Sequence, residues 1–477
     1  MKERISGVGA LPFAGAMLLL IATASIVGVS AFSPDSWAYL ELAKTIWSER
    51  FYQFNTYRSY FSEVHSASFP LGYPVLISLL QFVAGADPRV AVVLNVLAAA
   101  ASWWLIAQAG RWLGVSRLGV AAVASALLLY PGYLDEVLAG RSIPVAILAF
   151  LAGICSLIRA RPFAAGLFLG VSALVRFDFL VYGFLAIFGC FLIKRASNFF
   201  RALALLGFLA GLLPWILYSY MYFGKIWVSD NSWVAASVAK AFVLDFPAKA
   251  ELAAANAPVL WVLRWLGNIF PLLTSFLSGL LKFPLVIISL GFFLASLSRV
   301  EKRQKRAVLV VVLVGATSLA PYLLTGYFDQ RYFALIFLCF SAVFIFSSDQ
   351  SQASSGGHAL VYRSAMLGSI IVSFAIGGFS LFEMAKASIQ GEKQQADVEL
   401  AISALSKCHR TTPDITYIFK DEVTSLAPRY GARTGFRAAF IPSNFGRMTD
   451  TEKAAYLKHM KPYKIFSNLK EAKECGE

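Results

Sequence analysis

The chain has 477 residues, of which 58% are apolar or aromatic and only 14% charged, with a net charge of +15. Soluble domains run near roughly 45–50% and 25%, which excludes a cytosolic globular enzyme and a disordered chain. The positive balance does not mark a nucleic-acid reader either, because the basic residues lie scattered between apolar runs, as in loops flanking membrane helices.

Apolar runs of about 17–25 residues, the length needed to span a bilayer, begin near the N-terminus. The first covers residues 8–32 and follows Lys2 and Arg4. It exceeds a signal-peptide core and lacks a small-residue cleavage site, so it reads as a retained helix. Residues 33–69 form a polar and aromatic loop. Further apolar runs cover residues 70–86, 90–109, 118–130, 143–158, 163–175, 179–193 and 202–222, then a long stretch 259–297, then 307–324, 332–346 and 365–382. These make about 11 to 13 helices, several of them short enough to require tilted or partial spans. Residues 386–477 carry 15 basic and 11 acidic residues, against 27 and 16 in the preceding 385. The chain therefore divides into an all-α polytopic membrane region, residues 1–385, and a small polar domain, residues 386–477. The latter reads as α/β, with helix-like 393–406 and 449–459 and strand-like 415–419 and 463–466.

Lys and Arg in short loops set the orientation. The run Arg299-Val-Glu-Lys-Arg-Gln-Lys-Arg306 is the strongest cytoplasmic signal, followed by Lys194, Arg195 and Arg201, and by Arg159 with Arg161. Counting from them places residues 225–258, 326–331 and the C-terminal domain outside. An N-terminus inside places residues 33–69 outside as well. The two counts disagree by one span between residues 70 and 130, so one segment there is expected to be a half-helix or a surface helix. No internal repeat is visible. Cys155, Cys190 and Cys339 sit in apolar runs as packing residues. Cys408 and Cys475 sit in the polar domain, where an oxidising compartment permits a disulfide; two unpaired thiols are the alternative.

The first loop holds the densest chemistry. Phe32-Ser33-Pro34-Asp35-Ser36-Trp37-Ala38-Tyr39 opens an amphipathic helix whose aromatic face carries Trp37, Tyr39 and Trp47 and suits a membrane interface. Asp35 stands at its N-terminal end, where free N–H groups and the helix dipole favour a carboxylate. The plainer reading makes Asp35 an N-cap only. The loop then runs Glu63-Val64-His65 and re-enters the membrane through Phe69-Pro70-Leu71-Gly72-Tyr73-Pro74. Glu63 and His65 read as a metal pair or as acceptor-binding groups, although zinc wants three or four ligands.

An acid ending the first helix, a tyrosine four residues on and an aromatic-proline re-entry resemble the GT-C class of membrane glycosyltransferases. The likeness is to the branch of protein O-mannosyltransferases, aminoarabinose transferases and lipopolysaccharide sugar transferases. The pattern Asp-x-x-x-Tyr-x-x-x-Ala is met by Asp35, Tyr39 and Ala43. The stretch from Gly166 through Gly170 to Arg176-Phe177-Asp178, and Tyr327-Phe328-Asp329-Gln330-Arg331-Tyr332, resemble later elements of that branch. The resemblance covers roughly residues 7–350. Two features depart from it: Ser142-Ile143-Pro144 stands where an acid before proline is usual, with Asp135 and Glu136 about two turns earlier, and Arg176 is followed by Phe177 rather than proline. A second acidic position, and with it a metal site, is therefore not carried over from the resemblance.

The resemblance implies an inverting glycosyltransferase that moves a sugar from a polyprenyl-phosphate carrier. The acceptor would be a glycan, lipid or protein on the outer face of a bacterial inner membrane. It casts Asp35 as general base. It casts Arg331 and Arg176, and after them Arg58 and Arg141, as cations for the leaving phosphate; snorkelling is the alternative for each. Trp37, Tyr39 and Tyr73 would line the sugar site, and Asp178 and Asp329 would orient the arginines. No cofactor is implied beyond a divalent metal left open by Glu63 and His65. A transporter or flippase for a lipid-linked sugar is the competing reading, but it calls for polar residues in mid-span. A membrane assembly factor is a third.

Overall fold

The computed structural model describes residues 10–53, 56–57, 65–66, 69–193, 197–229, 258–295, 302–317, 319, 322, 329–352, 356–390, 392–411, 416–419, 429–430, 438–440 and 463–475. Arg58, Glu63 and the helix expected at 449–459 lie outside these residues. The chain forms two compact units. The first comprises residues 1–28, 92–215 and 269–386; the second comprises 29–91, 216–268 and 387–477. The polar C-terminal residues thus share a unit with the first loop instead of standing alone after residue 385.

In the first unit, α1 (Ala10–Val27) is followed by α4 (Val90–Leu113), α5 (Arg117–Leu128), α6 (Pro131–Leu138), α7 (Ile143–Ile158), α8 (Pro162–Val175), α9 (Phe179–Ile193) and α10 (Asn198–Phe223). After these come α11 (Pro258–Leu281), α12 (Pro284–Ala295), α13 (Lys302–Thr317), a 3₁₀ turn (Gln330–Phe333), α14 (Ala334–Gln352) and α15 (Gly356–Gln390). Among the described residues four helices are long and apolar enough to cross a membrane: α4, α10, the 3₁₀ turn continuing into α14, and α15. Two bent pairs also qualify, α5–α6 at 57° and α11–α12 at 86°, and six shorter apolar helices accompany them.

Both bends follow from proline, which starts a helix readily but cannot continue one. Pro131 opens α6 and Pro284 opens α12. The long apolar stretch expected at 259–297 is therefore broken, whereas the run expected at 118–130 coincides with α5 and ends at the first bend. In the region where the orientation counts disagree, α3 (Gly72–Ala84) has only 13 residues.

Helices α8 and α10 meet backbone to backbone. A Cβ built on Gly166 would stand 1.9 Å from the Ala204 carbonyl oxygen, and one on Gly170 would stand 2.4 Å from that of Phe208. Reciprocally, Cβ atoms on Gly207 and Gly211 would stand 2.1 Å and 2.6 Å from the carbonyls of Phe163 and Leu167. Two glycines four apart on each helix thus give the close approach that small-residue packing allows in lipid.

The second unit contains α2 (Pro34–Thr45), β1 (Thr56–Tyr57), α3, α16 (Glu392–Thr411), β2 (Thr416–Phe419), β3 (Ala438–Phe440), β4 (Tyr463–Phe466) and α17 (Leu469–Glu474). The four strands form one parallel sheet in the order β1-β3-β2-β4. Val398, Ala401, Ile402 and Leu405 make the apolar stripe of α16, which packs with Tyr417, Phe419, Tyr430, Phe466 and Ala472. Cys408 and Cys475 are bonded beside this core, with Cα atoms 5.9 Å apart. The edge strand β1 comes from the first loop, pairing Thr56 with Ala438 and Tyr57 with Ala439. Local pattern gave no sign of that pairing.

Candidate active site

The first unit gathers three arginines and four carboxylates from three chain regions. Glu136, on α6, has a fully buried side chain and is ion-paired through one oxygen with Arg141 Nε at 2.9 Å and Arg331 Nη1 at 3.1 Å. Its other oxygen, Oε2, meets no hydrogen-bond partner among the described residues. Arg141 also binds Asp135, and Arg331 Nε lies 3.2 Å from Asp329. Arg176 caps the C-terminus of α8, pairs with Asp178 at 2.9 Å and donates to the Ser142 hydroxyl at 3.5 Å. Tyr332 links the arginines: the guanidinium carbons of Arg331 and Arg176 lie 4.9 Å and 5.3 Å from its ring centre, and its hydroxyl accepts from Arg331 Nη2 at 3.0 Å. Tyr322 stacks on Tyr332 and donates to Asp178 at 3.2 Å.

The surrounding backbone explains this convergence. Asn95, buried in the otherwise apolar α4, donates to the Arg141 carbonyl at 2.7 Å and the Glu136 carbonyl at 3.1 Å, closing the turn that carries both. Tyr130 donates to the Gln330 carbonyl at 2.8 Å. Gly132 lets the 3₁₀ turn approach, since a Cβ there would stand 2.8 Å from Arg331 Cα. Asp329 caps that turn by accepting from the Arg331 N–H at 3.1 Å. The two inner carboxylates are covered, whereas Asp135 and Asp329 remain 46% and 54% exposed. A ligand anion could therefore exchange with the outer pair without disturbing the inner one.

In the second unit, Asp35 occupies the first turn of α2 but does not cap it. Ser33 is the cap: its hydroxyl accepts from Ser36 N–H at 3.4 Å, and the Ser36 hydroxyl accepts from Ser33 N–H at 3.0 Å. The carboxylate of Asp35 is thereby spared the capping role, and it forms no ion pair with a described residue. Trp37, Tyr39 and Tyr73 are at most 4% exposed. Tyr39 packs edge-on against Phe69 and Tyr73, with ring centres 4.7 Å and 4.9 Å apart. Helix α2 is not an amphipathic surface helix, because residues Ser36 to Ala43 are all buried. His65 packs at a tilt against Tyr222 with ring centres 3.9 Å apart, and its Nε2 lies 3.3 Å from the Gln53 amide nitrogen.

Tyr52 adopts a left-handed φ of +54°, rare for a bulky residue. Its hydroxyl donates to the Phe69 carbonyl at 2.9 Å, its ring meets Tyr218 edge-on, and burial pushes its phenol well above the usual range, keeping it a neutral donor. Among the described residues no three of His, Cys, Asp and Glu come together as a metal site.

Of the expected cations, Arg141, Arg176 and Arg331 are brought together with Asp178 and Asp329. The sequence reading missed the central role of Glu136 and the positioning roles of Asn95, Tyr130 and Gly132. A buried acid and an asparagine inside apolar runs were the available signals.

No protein-family model matches the sequence, and a search of curated proteins finds no match. Solved structures do match. The crystal structure of ArnT from Cupriavidus metallidurans bound to undecaprenyl phosphate aligns at a TM-score of 0.56 and 12% identity, covering 96% of this chain and 90% of that one. The apo oligosaccharyltransferase of Archaeoglobus fulgidus aligns at 0.57 and 14% identity over 91% of this chain, which spans 64% of that protein. The A. fulgidus enzyme AglB with an inhibitory peptide and a dolichol-phosphate aligns at 0.50 and 13% identity. The chain therefore has the fold of the GT-C membrane glycosyltransferases and is a multi-pass membrane protein.

Proposed function

We propose that the protein is a glycosyltransferase that moves a sugar from a polyprenyl-phosphate carrier to an envelope glycan, lipid or protein on the outer face of a bacterial inner membrane. The observation that carries this reading is the pairing of Arg141 and Arg331 on Glu136, joined to Arg176 through Tyr332, on a fold shared with a protein crystallised with undecaprenyl phosphate. Guanidinium groups held by buried carboxylates and an aromatic ring are preorganised for phosphate oxygens, and need little rearrangement as leaving-group charge develops. The exposed carboxylates Asp135 and Asp329 hold the arginines in the free state and yield to the phosphate.

Asp35 takes the acceptor hydroxyl's proton as its oxygen bonds to the anomeric carbon; the carbon–oxygen bond to phosphate breaks and that electron pair leaves on the phosphate. Attack opposite the leaving group inverts the anomeric configuration. Because Ser33 does the capping, the Asp35 carboxylate is left available for this role.

The test uses purified full-length protein, undecaprenyl phosphate for binding, and a polyprenyl-linked sugar extract for turnover. Arg331→Ala and Arg176→Ala weaken undecaprenyl phosphate binding by about tenfold or more. Asp35→Asn retains binding but stops release of polyprenyl phosphate. Binding unchanged in both arginine variants overturns the phosphate site, and normal turnover in Asp35→Asn overturns the base. Translocation of a lipid-linked sugar with no release of polyprenyl phosphate would favour the flippase reading.

A further inference from the structure

The C-terminal residues 387–477 carry no recognisable catalytic motif, yet one of their charged side chains leaves its own core to touch α2. Arg429 is only 8% exposed, and its guanidinium carbon lies 5.2 Å from the ring centre of Trp37. Its Nη2 is held by Glu399 of α16 at 2.5 Å. The next residue, Tyr430, is fully buried; its hydroxyl lies 3.0 Å from His409 Nδ1 and 3.4 Å from the Leu405 carbonyl oxygen. The backbone at Arg429 is thus anchored in the C-terminal core while its planar cation lies on a tryptophan two residues from Asp35. Phe32 packs on the same indole with ring centres 5.3 Å apart.

We propose that Arg429 is a positioning residue that fixes the rotation of α2 and so the direction of the Asp35 carboxylate. Two residues turn about 200° around an α-helix, so Trp37 and Asp35 project on nearly opposite sides. A clamp on the indole sets the angle of the carboxylate without occupying the space in front of it. Arginine suits the task because its delocalised plane stacks on an indole while its edge stays ion-paired. Two further ties connect the same parts of the chain: the β1–β3 pairing, and the Ser30 and Ser388 hydroxyls 2.6 Å apart. The C-terminal residues thereby act as the frame for the first loop. The consequence for turnover rests on the assignment of Asp35 as base; the mechanical role does not.

The experiment uses the full chain and compares Arg429→Gln, Arg429→Lys, Trp37→Phe and the Arg429→Gln/Trp37→Phe double variant. Amide hydrogen exchange reads the mechanics. Arg429→Gln should speed exchange at residues 36–45 and leave residues 401–405 protected. Release of polyprenyl phosphate from a polyprenyl-linked sugar extract reads the chemistry. The maximal rate should fall on the order of tenfold to a hundredfold, with the half-saturating amount of extract within about twofold. Arg429→Lys should recover part of the rate. In the Trp37→Phe background, Arg429→Gln should cost less than it does alone, because the two residues act through one contact.

Unchanged exchange at residues 36–45 overturns the proposal. So does faster exchange spreading through residues 401–405, which makes Arg429 a general stabiliser. If exchange responds as expected while Asp35→Asn stays active, the clamp stands and the base assignment fails.

Discussion

The close contact of α8 and α10 offers the most direct test of the packing that carries Arg176. In Gly166→Ala the new methyl carbon would start 1.9 Å from the Ala204 carbonyl oxygen, where Cβ atoms essentially never come within 3.0 Å. The helices must therefore part by about 1.1 Å, since a backbone carbonyl in a helix cannot rotate away. Overpacking of this kind costs about 1–3 kcal/mol, equivalent to a fall in Tm on the order of 5 °C. Helix α8 ends at Arg176, ten residues or about 15 Å further on, so the displacement reaches the arginine cluster. Thermal unfolding in detergent, with and without undecaprenyl phosphate, measures both effects: Tm should fall, and the ligand-induced rise in Tm should shrink. Gly368→Ala is the control, because a Cβ there meets nothing within 4 Å. An alanine in that open helical position is expected to be neutral or stabilising by up to about 1 kcal/mol. If Gly166→Ala unfolds at the same temperature as Gly368→Ala, the close approach of the two helices is refuted.

Other variants probe the charges and the disulfide. Glu136→Gln leaves two arginines without their buried partner and should cost about 3–5 kcal/mol, whereas Asp135→Asn, on the exposed side, should cost less than about 1 kcal/mol; chemical or thermal unfolding separates them. Asp329→Asn keeps the cap on the 3₁₀ turn but removes the negative charge beside Arg331. It should therefore tighten undecaprenyl phosphate binding, and weaker binding would argue against an exchangeable carboxylate. Non-reducing mass spectrometry of a tryptic digest should recover the Cys408–Cys475 peptide pair. Cys408→Ser/Cys475→Ser should destabilise the C-terminal core by about 4 kcal/mol on chain-entropy grounds, read as earlier loss of protection at residues 401–405.

Much of the candidate site was visible as residue types and not as an arrangement. Arg176 and Arg331 stood out through the resemblance and their expected places at extracytoplasmic helix ends, and the structure does join them through Tyr332. Asp135 and Glu136 were visible too, but their distance from Ser142-Ile143-Pro144 argued against them. The turn closed by Asn95 brings Glu136 to Arg141, and the Tyr130 and Gly132 contacts bring Arg331 to Glu136 across 195 positions. Trp37, Tyr39 and Tyr73 show the reverse case. Their aromatic character suggested a sugar platform; what the structure adds is that all three rings are buried and packed, as aromatic side chains in cores are.

The sequence by itself determined the class of molecule and the polytopic plan. Solvation in hydrocarbon is a property of each segment, and about twenty apolar residues declare it locally. It also determined the short β-run of the C-terminal sheet at 463–466, where local pattern coincides with the strand. Tertiary structure alone decided the rest. It decided which acid faces which arginine, and that four glycines bring α8 and α10 into contact. It also decided that β1 from the first loop completes a sheet built from residues beyond 416, and that Arg429 reaches Trp37. Each of these joins residues far apart in the chain, and their pairing depends on register and helix rotation. Neither quantity is encoded in a local run of residue types, because one-residue slips leave composition unchanged while turning every side chain to a different face.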